Sequence, residues 1–192
     1  MIALLAWLPA CDKRCPEEMV QLGELCIDRY EASVAADGRA RSLPGLKPTV
    51  GLTHAQAAAA CRSASKRLCY DHEWVAACGG REWPWGSEAP VDGQCPVPNA
   101  NGDKPLDDLA LTGSFPRCGS VEGVQDLYGN AWEWTAPDPG TPSASAKRGG
   151  AWYVAGPSPC TGAPFIMHDP GFAGTIAARC CSDARVAWPW AR

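Results

Sequence analysis

At 192 residues and 20.3 kDa the chain is long enough for one domain with a buried core, and its 46% hydrophobic and 20% charged residues are ordinary for a globular fold. A net charge of −4 offers no basic excess, which argues against a nucleic-acid partner. Twenty Gly and 18 Pro interrupt regular elements too often for a helical bundle or a coiled coil.

Residues 1–11 are apolar, too short to span a bilayer, and end in small residues before Cys11. That is the pattern of the core and cleavage site of an export signal. Leu8-Pro9-Ala10-Cys11 resembles a bacterial lipoprotein cleavage box, which would make Cys11 the lipidated first residue of the mature chain. An ordinary signal cleaved near Ala10 is the alternative. Residues 1–11 are therefore read as a leader and 12–192 as the domain.

Without Cys11, ten cysteines remain, at 15, 26, 61, 69, 78, 95, 118, 160, 180 and 181. An even number in an exported chain points to disulfides. Zinc would need paired C-x2-C knuckles, and there are none; the His residues stand singly at 54, 72 and 168.

Residues 12–26 read as a short hairpin closed by Cys15 and Cys26, and Ile27 to Ala32 continues as an alternating strand. After a Gly- and Pro-containing loop, Thr53 precedes a run of strong helix formers, with Gln56 three residues on as a capping box requires. A helix is expected over 54–65. Asp71 is the expected cap of a second, short helix that Gly79-Gly80 stops. From 80 to about 118 there is little periodicity, and so long a loop is expected to be tied down by disulfides and a metal. Residues 129–135 read as a turn feeding a strand, and 147–152 as a strand or bulge whose paired Gly let another backbone approach closely. Residues 154–174 read as loop, and 175–181 and 184–188 as the last strands. There is no internal repeat.

In this order, Cys26-Ile-Asp-Arg-Tyr-Glu-Ala-Ser33, Thr53-x-x-Gln56-Ala57, Lys66-Arg67-Leu68, Glu73-Trp74, Trp83-Pro-Trp-Gly86, Gly113-Ser-Phe-Pro116, Asp126-Leu-Tyr-Gly-Asn-Ala-Trp-Glu-Trp134 and Arg148-Gly-Gly-Ala-Trp152 resemble the formylglycine-generating enzyme, or sulfatase-modifying factor, family. The match runs from about residue 15 to 185. The resemblance implies an irregular, C-type-lectin-like α+β fold, disulfide-rich and low in regular secondary structure.

The oxidase members of that family activate oxygen on copper held by two thiolates, soft ligands that Cu(I) selects. Their two Cys follow the Arg-Gly-Gly segment by a few residues, five apart. Here the window from Trp152 to Cys160 holds one Cys. The resemblance instead implies bridges Cys61–Cys180 and Cys78–Cys160, which leaves Cys181 for Cys69 and Cys95 for Cys118. Each closure constrains the unfolded chain by roughly 2–4 kcal/mol. Every sulfur is then used, so copper is not expected. The iron-dependent relatives (sulfoxide synthases of thiol-histidine biosynthesis) use a His-x3-His-x-Glu motif that these residues lack, so iron chemistry is not expected either.

The resemblance also implies a structural Ca²⁺ on the side chains of Asp126 and Glu133 and the carbonyls of Gly129 and Ala131. Hard oxygen ligands from a tight turn suit that ion. A Glu133 salt bridge to Arg148 or Arg179 is the alternative. Asn99, Asn101, Asp103, Asp107 and Asp108 lie where the family has another calcium site, but with different spacing, and read as a solvated loop. Trp74, Trp85, Trp132, Trp134 and Trp152 read as core pieces, with a stacking surface for a sugar or peptide as the alternative. Trp188 and Trp190 are expected to be exposed.

The reading that results is a non-catalytic binding or scaffold module, exported, disulfide-bonded and Ca²⁺-stabilised. It would be periplasmic, anchored to the outer membrane through lipidated Cys11, or secreted. A groove between the 83–118 and 150–174 loops, lined by Arg148, Trp152, His168 and Arg179, would hold a peptide, a glycan or an envelope protein. The alternative is a formylglycine-generating oxidase acting on a sulfatase cysteine, with Cys160 and Cys180 or Cys181 on copper. A purely structural envelope protein is a third reading.

Overall fold

A computed structural model describes residues 13–99, 101–141, 145–154, 158–169, 171 and 174–186. The leader read at 1–11, Cys11 with it, and Trp188 and Trp190 lie outside the described residues.

The chain opens with strands β1 (Lys13–Arg14), β2 (Met19–Leu22) and β3 (Leu25–Asp28). The hairpin is β2–β3, turning at Gly23, whose φ of +63° glycine adopts without the Cβ penalty. The strand expected over 27–32 stops at Asp28, because the chain turns to carry Glu31 into the interior. A small ribbon, β4 (Ser33–Val34) with β5 (Ala40–Arg41), follows.

Helix α1 (His54–Ser63) forms where Thr53 and Gln56 were read as a capping box. Thr53 Oγ1 accepts from the Gln56 amide at 3.2 Å, and Gln56 Oε1 accepts from the Thr53 amide at 2.9 Å. Two otherwise orphaned donors are thereby satisfied. After β6 (Arg67–Leu68) comes α2 (Asp71–Ala76). Its N-cap position is Tyr70, not the expected Asp71. Glu73 Oε2 reaches back to accept from the Tyr70 amide at 2.8 Å, which frees the Asp71 carboxylate for Arg148.

Among the described residues no strand forms between 77 and 131, a stretch that includes the 80–118 segment read as lacking periodicity. That stretch is held by Cys95–Cys118 and by a cluster of Trp83, Trp85 and Tyr128 around the bridge. The remaining strands are β7 (Trp132–Thr135), β8 (Ser145–Arg148), β9 (Phe165–Met167), β10 (Ile176–Ala178), β11 (Cys180–Asp183) and β12 (Arg185–Val186). The 154–174 segment read as loop thus contains a strand. Three apolar residues without flanking alternation are too short a signal to show in sequence.

Two four-stranded sheets result, β2-β3-β11-β6 and β10-β7-β8-β9, with β10 and β7 parallel. Between and beside them lie two apolar clusters. One holds Val20, Ile27, Trp74, Val124 and Leu127; the other packs α1 against Leu68, Trp134, Ile176 and Ala178. The ten cysteines pair as Cys15–Cys26, which closes the expected hairpin, Cys61–Cys180 and Cys78–Cys160, the two bridges the family resemblance implied, and Cys69–Cys181 and Cys95–Cys118, the pairs that those left over. No helix among the described residues is long and apolar enough to cross a membrane.

Candidate functional site

A cavity of about 470 Å³ opens beside β8, with Val97 on one side and Gly149, Val154, Ser158, Gly162 and Phe165 among the residues on the other. The size is within the range of small-ligand sites. Trp74 of α2 lies against it, its indole N–H donating to Glu133 Oε2 at 2.7 Å. Arg148 braces the wall. It donates from Nε to Asp71 Oδ1 at 2.7 Å, from Nη2 to Asp71 Oδ2 at 2.6 Å, and from Nη1 to the carbonyl of Gly162 at 2.8 Å. Its charge is therefore met by α2 rather than offered to a ligand. Gly149 has φ +91°, and a Cβ there would come 3.2 Å from the Leu127 carbonyl. The close approach expected of the paired glycines is real at this position.

Lys147 projects over aromatic faces. Its Nζ stands 4.4 Å from the Trp132 ring centroid and 4.7 Å from that of Phe165. Burial pushes its pKa down. None of the described residues lining the cavity is acidic.

Behind the cavity lies a buried ionic cluster. Arg179, fully buried, donates to Glu133 Oε2 at 2.8 Å and Oε1 at 2.6 Å, and to the carbonyls of Asp28 and Gln125 at 2.9 and 2.8 Å. Glu31 accepts from Asn130 Nδ2 at 2.5 Å and from the Ala131 amide at 3.0 Å. Asp126 Oδ2 accepts from the Gly113 amide at 2.8 Å. Burial, and then the neighbouring charges of Asp126 and Glu133, drive the Glu31 pKa well above the ordinary carboxylate range. Burial pushes Asp126 up to about 6. Three carboxylates thus share one guanidinium.

The residues singled out in sequence separate into distinct settings. Of the expected groove residues only Arg148 lines the cavity. Arg179 is interior, because its four hydrogen bonds lie behind the sheet. Trp152 instead meets Tyr153 edge to face and lies under Lys104, and His168 is exposed outside the cavity lining. Trp74 and Trp132 combine the two roles weighed for them, packing against the core and facing the cavity. Glu133 forms a salt bridge to Arg179, one of the two arginines named for it. Asn99 Oδ1 accepts from the amides of Asn101 and Asp103, a self-contained exposed turn, and Asp108 pairs with Lys47. Cys160 and Cys181, the alternative copper ligands, are bonded to Cys78 and Cys69. Among the described residues no three His, Cys, Asp or Glu side chains converge as a metal cage. Lys147 and Phe165 were missed. Lys147 abuts the Arg-Gly-Gly segment in sequence, but only the ladder that sets it opposite Phe165 makes them one feature.

A family model described as the sulfatase-modifying factor enzyme 1-like domain matches residues 24–170. Hercynine oxygenase of Mycolicibacterium smegmatis is 29% identical over 183 residues, which cover 79% of this chain and 40% of the relative. Formylglycine-generating enzyme of Bos taurus is 33% identical over 102 residues, 46% of this chain and 26% of the relative. Inactive C-alpha-formylglycine-generating enzyme 2 of Mus musculus is 32% identical over 120 residues, covering 55% of this chain and 37% of the relative. The chain spans 40% or less of each of these three relatives. Among solved structures, PvdO from Pseudomonas aeruginosa aligns with a TM-score of 0.57 at 17% identity, over 84% of this chain and 80% of that one. Major Tropism Determinant M1 Variant aligns at 0.60 with 18% identity, over 92% and 55%. At such identities the structural likeness speaks for the fold, which is C-type-lectin-like as expected.

Proposed function

We propose, from the premise that the chain belongs to the sulfatase-modifying factor family, that it is a non-catalytic binding module of that family, holding its ligand in the cavity beside β8. The observation that carries this reading is the state of the sulfurs. Every described cysteine is bonded to another, so no thiolate pair faces the cavity. Five disulfides also fit an oxidising, exported environment. Attachment to an envelope through lipidated Cys11 belongs to the same proposal.

A Ca²⁺ on Asp126, Gly129, Ala131 and Glu133 fits the electrostatics of the cluster. Glu31, Asp126 and Glu133 are buried against the single charge of Arg179, and a cation offsets the excess. Glu133 Oε1 accepts one hydrogen bond and keeps a lone pair for a metal. Only two side chains of that set are acidic, and carbonyl oxygens complete it.

The second reading is an oxidase, favoured by relatives named hercynine oxygenase and formylglycine-generating enzyme. One experiment separates the two. The denatured, unreduced mature chain is alkylated and weighed, and oxygen uptake is followed with cuprous ion and a Cys-containing peptide. The binding module gives no alkylated cysteine among residues 15–181 and no uptake. Two alkylated cysteines near the cavity, with copper-dependent uptake, overturn it.

A further inference from the structure

Strand β9 is the outer strand of its sheet, in the order β10-β7-β8-β9. Among the described residues no backbone hydrogen bond reaches β9 from the side away from β8. Edge strands are blunted by shortness, Lys, Pro or a bulge, because an open row of N–H and C=O groups recruits another chain. Here the edge is short, Phe165-Ile166-Met167 with Pro164 before it, but its side chains are apolar and uncharged, and Phe165 and Ile166 are 59% and 41% exposed. Phe165 is also part of the cavity lining. The open edge and the cavity are therefore one surface.

The second observation is Lys147. It stands opposite Phe165 in the β8–β9 ladder and reaches across to the Phe165 ring. Its neighbours there are aromatic faces, and no described residue lining the cavity carries a negative charge. A half-buried ammonium of this kind is complemented by an anion brought from outside.

We infer that the cavity ligand is an acidic peptide in extended conformation, which pairs its backbone with the outer edge of β9 and presents a Glu or Asp side chain to Lys147. The inference rests on the binding-module reading and names the ligand class for the same cavity. The spacing suits it. Neighbouring strands lie about 4.8 Å apart, so an added strand runs about 10 Å from β8, and Lys147 already spans the first half of that gap. A carboxylate opposite Phe165 covers the rest. Backbone pairing supplies affinity and the alternate side chain supplies specificity, the usual division in strand addition.

The test is fluorescence anisotropy with a fluorescein-labelled heptapeptide of alternating Thr and Val with Glu at its centre. The same peptide with Gln, and two Glu peptides N-methylated in opposite amide registers, are the comparisons. The Glu peptide binds about tenfold more tightly than the Gln peptide. N-methylation in one register abolishes binding and in the other leaves it intact, because alternate amides face the edge. Lys147→Met, checked for an unchanged thermal transition, removes the Glu preference. Equal affinity for Glu and Gln peptides, or equal effects of the two N-methyl registers, overturns the inference. So does displacement of the peptide by a glucuronate oligosaccharide with the same dependence on Lys147, which would make the ligand an acidic glycan. Zero free thiols without peptide binding sinks this inference alone, whereas copper-dependent turnover of a Cys peptide sinks the binding-module reading.

Discussion

Replacing Arg179 by Met tests whether the ionic cluster behind the cavity acts as a unit. The guanidinium is fully buried and donates to both Glu133 oxygens and to two carbonyls, those of Asp28 and Gln125. Methionine fills much of the volume but donates nothing. Leaving one partner of a buried pair uncompensated costs about 3–5 kcal/mol, and each carbonyl left dry adds about 1–3 kcal/mol where water cannot enter. We expect a loss of about 5 kcal/mol, read by urea unfolding under non-reducing conditions. For a chain of this size that lowers Tm by roughly 10–20 °C. Adding Glu133→Gln to Arg179→Met removes the stranded charge while keeping an acceptor for the Trp74 indole, and restores about half of the loss. A single Arg179→Met variant within about 1 kcal/mol of the parent would refute the reasoning, since no buried charge could then have been stranded.

Two further predictions concern protons and sulfur. Asp126 has a folded pKa of about 6 against an ordinary 3.8, and Glu31 is raised in the same direction, so the folded state takes up protons before the unfolded one does. In calcium-free buffer, stability therefore rises as pH falls from 7 towards 4, by about 2.5 kcal/mol from Asp126 alone. Excess calcium raises stability at pH 7 and flattens that rise, because cation and protons compete for the same carboxylates; thermal unfolding across pH with and without calcium reads both, and a flat calcium-free profile refutes it. Cys61–Cys180 and Cys69–Cys181 close nearly the same loop, so either double Ala variant reopens only about 10 residues and costs about 3 kcal/mol. Removing both opens a loop of about 30 residues bounded by Cys78–Cys160, and costs about 1 kcal/mol more than the sum of the two; strictly additive losses in urea unfolding would contradict this.

How legible the molecule is from its sequence varies with the range of the interactions involved. The start of α1 is local, since Thr53 and Gln56 cap each other across three residues, and it is found where the pattern puts it. The cap of α2 is misread because Asp71 is claimed by Arg148, 77 positions away, a competition no window of sequence displays. Cys15–Cys26 is local and legible in the hairpin pattern, whereas the long-range Cys61–Cys180 and Cys78–Cys160 came through the family resemblance and the other two pairs from what it left over. Of the groove residues, Arg148 is found at the cavity, but Arg179 is not. An Arg–Gly or an Arg–Cys pair does not tell which face of its strand is covered. Lys147 and Phe165 become a pair only through strand register, and β9 has too few residues to announce itself.

Cys180 and Cys181 are consecutive residues of β11, and consecutive residues of a strand point to opposite faces. One bond runs to α1 in the cluster around Trp134, and the other to Cys69 in the cluster around Trp74. A single dipeptide therefore rivets both halves of the interior to one backbone. Proteolytic nicking in the 137–141 turn would release no fragment, since the pieces on either side stay joined by sulfur. The loops that shape the cavity are hung on a covalent frame that does not depend on their own continuity.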